Sequence, residues 1–412
     1  GAAGLRAAQL LVAAGRVVTI LEARDRLGGR IHTLDGVGRP PIEAGPEFVH
    51  GESAEMQRLL DAASVQTVEL PDQHWRMIDG RPEPVPFDKL WGRIGERLEQ
   101  FAGPDLAFTD FLAAQFTDLS PDERTTALDY VEGFNAADSR RVSTAWLRET
   151  EAAVGSDSES AVRRVTGGYA RLVAAVAADL PASKIHLRTR VDKIRWRPGR
   201  VDVDAVEDGR PQTFSADAAI VTLPLGVWQA ETVEFIPALP EKLAAARQMQ
   251  MGAVVKVVFR FHCSPLPAAG LDRQGFLHLP GAKFLAWWPL GDSPLLTGWS
   301  SGPRAEALSQ LDDEAILAAA VEELTHALRI DPIEFRRHIA ESRVFNWQRD
   351  RDCRGAYAYP TAGGVDAPHR LAATVAQTLF FAGEATEREF MGTVTGALLS
   401  GRRAAERLLA ES

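Results

Sequence analysis

The segment Leu21-Glu-Ala-Arg-Asp-Arg-Leu-Gly-Gly-Arg30 sets two glycines among three arginines. That composition suits a turn where backbone approaches a phosphate and guanidinium forks bind it; a solvated basic loop is the plainer alternative. Upstream, Gly1-Ala-Ala-Gly4 opens an Ala- and Leu-rich segment, and Glu22 closes the apolar run that follows it. A dinucleotide-binding turn needs glycines against the pyrophosphate, a helix N-terminus to hold its charge, and an acid about 20 residues on for the ribose hydroxyls. Gly1 and Gly4 stand as the second and third glycines of such a turn and Glu22 as its acid. The first glycine and its strand would precede Gly1, so the chain reads as N-terminally truncated and is expected to hold its cofactor poorly.

A second chemical signal is Lys256 in Ala253-Val-Val-Lys-Val-Val-Phe-Arg-Phe261. Its same-face neighbours in a strand are Val254 and Val258, so a cation interrupts an apolar row. It is either an edge lysine that blocks aggregation or a functional group. His50 is a lone histidine, a type more often structural than catalytic. Gly298-Trp-Ser-Ser-Gly302 fits a nucleophile elbow, with His326, His338 and His369 downstream, but a five-residue pattern in an Ala/Gly-rich chain is cheap. The nine histidines show no metal-ligand spacing, so no metal is implied. Trp287 and Trp288 are adjacent, so at most one can face a cavity, and core packing is the preferred reading of both.

The elements that must position these groups follow from the pattern. Gly4–Ala14 reads as a helix stopped at Gly15, Val17–Leu21 as a strand, and the stretch up to His50-Gly51 as a Gly/Pro-rich loop. From Gln73 to about Ser158 the pattern is helical, with breaks at Pro82–Pro86 and near Pro121, and Gly155–Ser160 is a polar linker. Strands are expected at Ile185–Leu187, Val191–Trp196, Val201–Val206, Ala218–Thr222, Ala253–Phe261 and Leu379–Ala382, and helices after Gly168, at Leu311–Ala327 and at Thr393–Leu409. The 412 residues suit two or three domains, with 45% hydrophobic and 25% charged residues as in an ordinary globular chain. A net charge of −10 removes the electrostatic basis for nucleic acid or a membrane surface as partner. Two distant cysteines, Cys263 and Cys353, exclude a disulfide framework, and no apolar stretch is long enough to cross a bilayer.

Taken in order, the motifs resemble the flavin-containing amine oxidase family of monoamine, polyamine and histone-demethylating lysine oxidases. The resemblance runs through Leu21–Thr33, Glu43-Ala-Gly-Pro-Glu-Phe-Val-His-Gly51, Thr166-Gly-Gly-Tyr-Ala-Arg-Leu172, Val191-Asp-Lys-Ile194, Ala219–Gly226, Trp347, Gly355-Ala-Tyr357, Phe381-Ala-Gly-Glu-Ala-Thr386 and Thr393-Val-Thr-Gly-Ala397. It covers essentially the whole chain.

The resemblance implies an α/β protein: a discontinuous Rossmann-like FAD-binding domain (1–73, 160–245, 345–412) and an inserted α+β substrate domain with a mixed sheet (74–159, 246–344). The active site would lie at their interface over the flavin ring. Glu22 would hold the adenosine ribose and Val191 clamp adenine through its backbone. Gly1, Gly4, Gly29, Arg24 and Arg30 would meet the phosphates or their neighbourhood, and Gly45 and Glu47 would lie beneath the flavin. Trp347, Gly383, Glu384, Thr393 and Val394 complete the cofactor contacts, with the last helix's positive end at the flavin's N1/O2 edge.

Lys256 would hydrogen-bond a water beside flavin N5, Tyr357 form one wall of the amine site, Thr393 take the place of the opposite tyrosine of monoamine oxidases, and His50 lie near the substrate amine. Ala356 stands where flavin-tethering relatives carry cysteine, so FAD is expected to be non-covalent. The reaction implied is hydride transfer from a small amine to flavin N5, giving an imine that hydrolyses to aldehyde or ketone, with O2 reduced to H2O2. A flavoprotein acting on carbon–carbon bonds, of the desaturase or protoporphyrinogen oxidase kind, is disfavoured by Lys256; a non-catalytic homologue is the third reading. The expected compartment is the cytoplasm, and a targeting signal upstream of Gly1 would not be visible in this sequence.

Overall fold

Alanine and leucine recur on one side of the first helix, Ala2–Ala13, so Ala3, Leu5, Ala7, Ala8 and Leu11 are buried. The helix packs on the last one, Val394–Glu411, and the approach is close: a Cβ on Gly401 would collide with the Ala3 carbonyl. In this computed structural model the described residues are 1–36, 39–71, 73–78, 80–85, 87–154, 162–266, 275–290 and 293–411; the expected Gly155–Ser160 linker lies outside them. The chain divides into two units, Gly1–Val68 with Arg164–Met251 and Arg351–Ser412, and Glu69–Arg163 with Gly252–Asp350. Trp347, expected within a 345–412 cofactor segment, falls in the second unit.

In unit 1 the expected strand Val17–Leu21 shortens to Ile20–Leu21, because its parallel partner Ile185–His186 offers only two residues; Val17 is 85% exposed. Thr189–Arg197 pairs with Arg200–Glu207, which pairs with Arg210–Ala216, and Glu234–Ile236 joins the first of these in parallel. Ala219–Val221 and Leu379–Phe381 form a parallel pair, and all three residues of the latter are buried, as continuous apolar strands should be. Three helices are tied by one carboxylate. Glu55, 2% exposed, receives Arg6 of the first helix, Arg58 of its own helix Ala54–Ala62, and Arg402 of the last.

Unit 2 holds a seven-stranded mixed sheet in the order Ile339–Asn346, Val254–Phe261, Leu295–Ser301, Ala286–Pro289, Phe276–His278, His74–Ile78, Arg81–Pro84. One pairing, His74–Ile78 with Phe276–His278, is parallel. The helical reading from Gln73 is corrected here. His74–Ile78 and Arg81–Pro84 form a hairpin, since Trp75 and Met77 alternate onto the core while Pro82 and Pro84 sit on an edge strand that needs no inner donors. Helices begin at Phe87, and Pro121–Asn135 starts from a capping box of Ser120 and Glu123. Asp313–Leu328, capped by Asp312, contributes Ile316, Ala320, Val321, Leu324 and Leu328 to the core under one sheet face. Among the described residues no helix is long and apolar enough to cross a membrane.

Candidate active site

The Gly-Gly turn of unit 1 is built for close approach. Gly28 and Gly29 adopt φ of 105° and 62°, and a Cβ on Gly29 would lie 3.1 Å from the Cα of Gly1. Arg26 shapes the turn from within, its guanidinium donating to the carbonyls of Gly29 at 2.9 Å and Ile31 at 2.8 Å. The first helix begins beside this turn at Gly1 with no side-chain cap, which leaves first-turn N–H groups directed at an anion. These features fit the pyrophosphate of a dinucleotide: a cradle that a side chain would fill, lined by backbone donors, with Glu22 Oε2 at its edge 3.5 Å from the Gly1 amine.

Glu22 sits where the short strand ends, its Oε1 accepting the Arg24 N–H at 3.0 Å, while its own carbonyl accepts the Thr189 N–H. Beyond Thr189 the pairing slips between Val191 and Lys193, a bulge that re-aims the backbone at Val191. Glu22 and Val191 are therefore neighbours, consistent in position with an adenosine end.

Around Glu43 to His50 the geometry is tight. Glu43, which the sequence reading passed over, accepts the Tyr169 N–H at 2.6 Å and the Thr33 hydroxyl at 2.9 Å, tying the Gly167-Gly168 turn to the segment that carries Gly45. Glu47 pairs with Arg164 at 2.6 Å, and that guanidinium lies 5.2 Å from the Phe48 ring centroid. His50 contacts Phe48 edge-on, and burial lowers its pKa to about 4, so the imidazole is neutral at ordinary pH.

The structure brings Arg30, Tyr357, Glu384 and Gly392-Thr393 together. Glu384, 4% exposed, accepts Arg30 Nη1 at 2.7 Å, the Gly392 N–H at 3.1 Å and the Ala358 N–H at 3.3 Å. Thr393 caps the last helix, its hydroxyl accepting the Gly396 N–H at 2.9 Å and donating to the Phe390 carbonyl. Val394 is that helix's first residue, and the Gly383 N–H donates to Ser400 on its second turn. Burial, and then the charge of Glu384, raise the pKa of Tyr357, which stays a phenol.

In unit 2, Lys256 lies on a strand paired on both sides and is 1% exposed, so the edge-lysine reading falls. Its cross-strand partners are Trp299 and Phe345. Trp347 is buried in the short turn Trp347–Arg349, whose next residue Gln348 accepts the Val254 N–H at the start of the lysine strand. Ser300 shares the core face with Val255, is fully buried and is still paired within the strand Leu295–Ser301, so the nucleophile-elbow reading also falls. Trp287 stacks on Phe259 in the core, whereas Trp288 contacts Phe276 and Trp299 on the lysine face.

A two-unit α/β chain with a glycine cradle for a dinucleotide and a lysine buried in a mixed sheet is the architecture of a flavin-dependent oxidoreductase. The chain belongs to the flavin containing amine oxidoreductase family, which it matches over residues 2–409, and it is an FAD-dependent enzyme acting on amines. It is 30% identical to polyamine oxidase 2 of Arabidopsis thaliana over 98% of this chain and 86% of that protein. It is 28% identical to lysine-specific histone demethylase 1 homolog 2 of the same plant, over 99% of this chain and 57% of that one. Among solved structures, putrescine oxidase bound to putrescine shares the fold with a TM-score of 0.84 at 22% identity, covering 100% of this chain and 97% of that one. Cyclohexylamine oxidase from Brevibacterium oxydans shares it at 0.82 and 20%, with 100% and 97% covered.

Proposed function

We propose that this protein oxidises a small aliphatic di- or polyamine with FAD held non-covalently in unit 1. The observation that carries the reading is Lys256, a cation fully buried in an apolar row of the central sheet, a placement that costs several kcal/mol and is retained where it serves chemistry. FAD supplies the two-electron acceptor, so that the amine becomes an imine, water releases aldehyde or ketone, and O2 yields H2O2.

The remaining roles belong to this chain's side chains. Glu22 accepts from the ribose hydroxyls and Val191 offers backbone to adenine. Gly1, Gly4 and Gly29 let backbone donors reach the pyrophosphate, with Arg24 and Arg30 nearby. Gly45, Glu47, Trp347, Gly383 and Glu384 shape the bed of the cofactor, and Thr393-Val394 point helix N–H groups at developing negative charge. Lys256 donates to a water and holds it at the reacting centre. Tyr357 provides an aromatic wall, and His50, kept neutral by burial, lies near the substrate amine as an uncharged hydrogen-bonding group. Thr393 removes the second aromatic wall, which widens the site for an extended amine, and the named oxidases of polyamines and putrescine support that substrate class. Ala356 stands where a flavin-tethering cysteine would be, and Cys353, three residues earlier, is buried, so FAD is held without a covalent tether. The acidic balance supports a protein without nucleic acid or membrane-surface partners, and the cytoplasm is the compartment assigned to it.

Anaerobic titration of the FAD-loaded protein with mono-, di- and polyamines, following the oxidised flavin band, tests the reading. Bleaching by di- or polyamines supports it, bleaching by aromatic monoamines alone moves the substrate class, and a band that no amine bleaches overturns it.

A further inference from the structure

The peptide groups on both sides of Tyr357 are held by one ion pair. Arg30 Nη1 donates to the Ala356 carbonyl at 2.5 Å and to Glu384 Oε1 at 2.7 Å, fixing the peptide that precedes the tyrosine. Glu384 Oε2 accepts the Ala358 N–H at 3.3 Å, fixing the peptide that follows it. The same oxygen accepts the Gly392 N–H at 3.1 Å, and a Cβ on Gly392 would sit 2.9 Å from the Tyr357 ring. Gly392 has φ of 80°, so both its backbone and its missing side chain are required for the ring to lie there.

We propose that the Arg30–Glu384 pair and Gly392 are positioning residues that lock Tyr357 in place as the wall of the amine site. Resting on the amine-oxidase reading for what that wall contacts, the inference assigns the pair a second duty beside the cofactor. Buried charge-assisted hydrogen bonds are the strong ones, and here they restrain the two dihedral angles that aim a single side chain. Arg30 directly follows the Gly28-Gly29 turn. Through it, the loop that receives the pyrophosphate is mechanically joined to the residue that receives the substrate, 327 positions later, and ordering of one orders the other.

The test uses the full chain and the variants Glu384→Ala, Glu384→Gln, Arg30→Lys and Gly392→Ala, with amide hydrogen exchange read over the peptides holding Ala358 and Gly392. Loss of the carboxylate is expected to speed exchange at those two amides about ten- to a hundred-fold while the rest of unit 1 keeps its protection. In the flavin-loaded protein Glu384→Ala is expected to raise KM for the amine about ten-fold with a much smaller change in kcat. Glu384→Gln, which keeps one acceptor oxygen, should recover part of both effects. Gly392→Ala should raise KM without altering exchange at Ala358, because it moves the ring and not the carboxylate; it and Arg30→Lys carry the test if Glu384→Ala does not fold. Unchanged exchange in the Glu384 and Arg30 variants overturns the clamp, and faster exchange with unchanged KM overturns its role at the wall. Should no amine reduce the flavin, the functional reading fails separately, and exchange still decides whether the clamp exists.

Discussion

The two faces of the unit 2 sheet are made by the same strands and carry opposite burdens. On one face Val255, Val257, Phe259, Leu277, Trp287 and Leu296 pack against Asp313–Leu328 in a continuous apolar core. On the other, a single cross-strand row reads Arg76, His278, Ala286, Trp299, Lys256 and Phe345, with Trp288 and Phe276 beside it. Because side chains alternate strictly along a strand, stability is concentrated on the first face and the second is free to hold a cation among aromatic rings. Adjacent Trp287 and Trp288 separate the two burdens in two consecutive residues.

The comparison is broken most directly at those tryptophans. Trp287→Ala is expected to cost about 3–5 kcal/mol by urea denaturation, while Trp288→Ala costs less and changes the KM for amine; equal losses of stability would end the distinction. Next in size, Lys256→Met is expected to slow flavin reduction at least about a hundred-fold. Its thermal midpoint should hold or rise, since a buried charge has gone; a variant with near-normal reduction would remove Lys256 from the chemistry. Gly298→Ala sharpens the core side, because its Cβ would meet the Trp287 ring at 2.5 Å. A loss of about 1–3 kcal/mol is expected, relieved when Trp287→Leu is added.

The last effect is one of pH. His278, hydrogen-bonded to His74 at 2.8 Å, has its pKa lowered to about 3 by burial and then by the neighbouring imidazole. Between its ordinary value of 6.5 and about 3 the unfolded chain binds a proton that the folded chain refuses, so stability falls as pH drops through that window. The slope from this group is about 1.4 kcal/mol per pH unit at most. Denaturation midpoints of His278→Asn between pH 6.5 and 4 should show a flatter dependence, and an unchanged slope would mean the lysine face tolerates a second cation.

Much of this was legible along the chain. The parallel pair at Ala219–Val221 and Leu379–Phe381 announced itself as continuous apolar runs, though only the second is buried throughout, and Lys256 as a charge in an apolar strand. The hairpin at His74–Pro84 was not legible, because Pro82 and Pro84 look like helix breaks until their edge position is known. Glu43 was missed because its value lies in the Tyr169 N–H it accepts, 126 residues away.

Local pattern thus determined most of the element types, since propensity and periodicity act over a few residues, and the ordered motifs carried the resemblance to the family. Only tertiary packing decided that the lysine strand is central, that Trp288 and not Trp287 shares its face, and that Arg30 meets Glu384 across 354 residues. Those are choices among faces and partners that many spacings allow, and burial decides them, since an enclosed carboxylate such as Glu384 is held only where donors meet it.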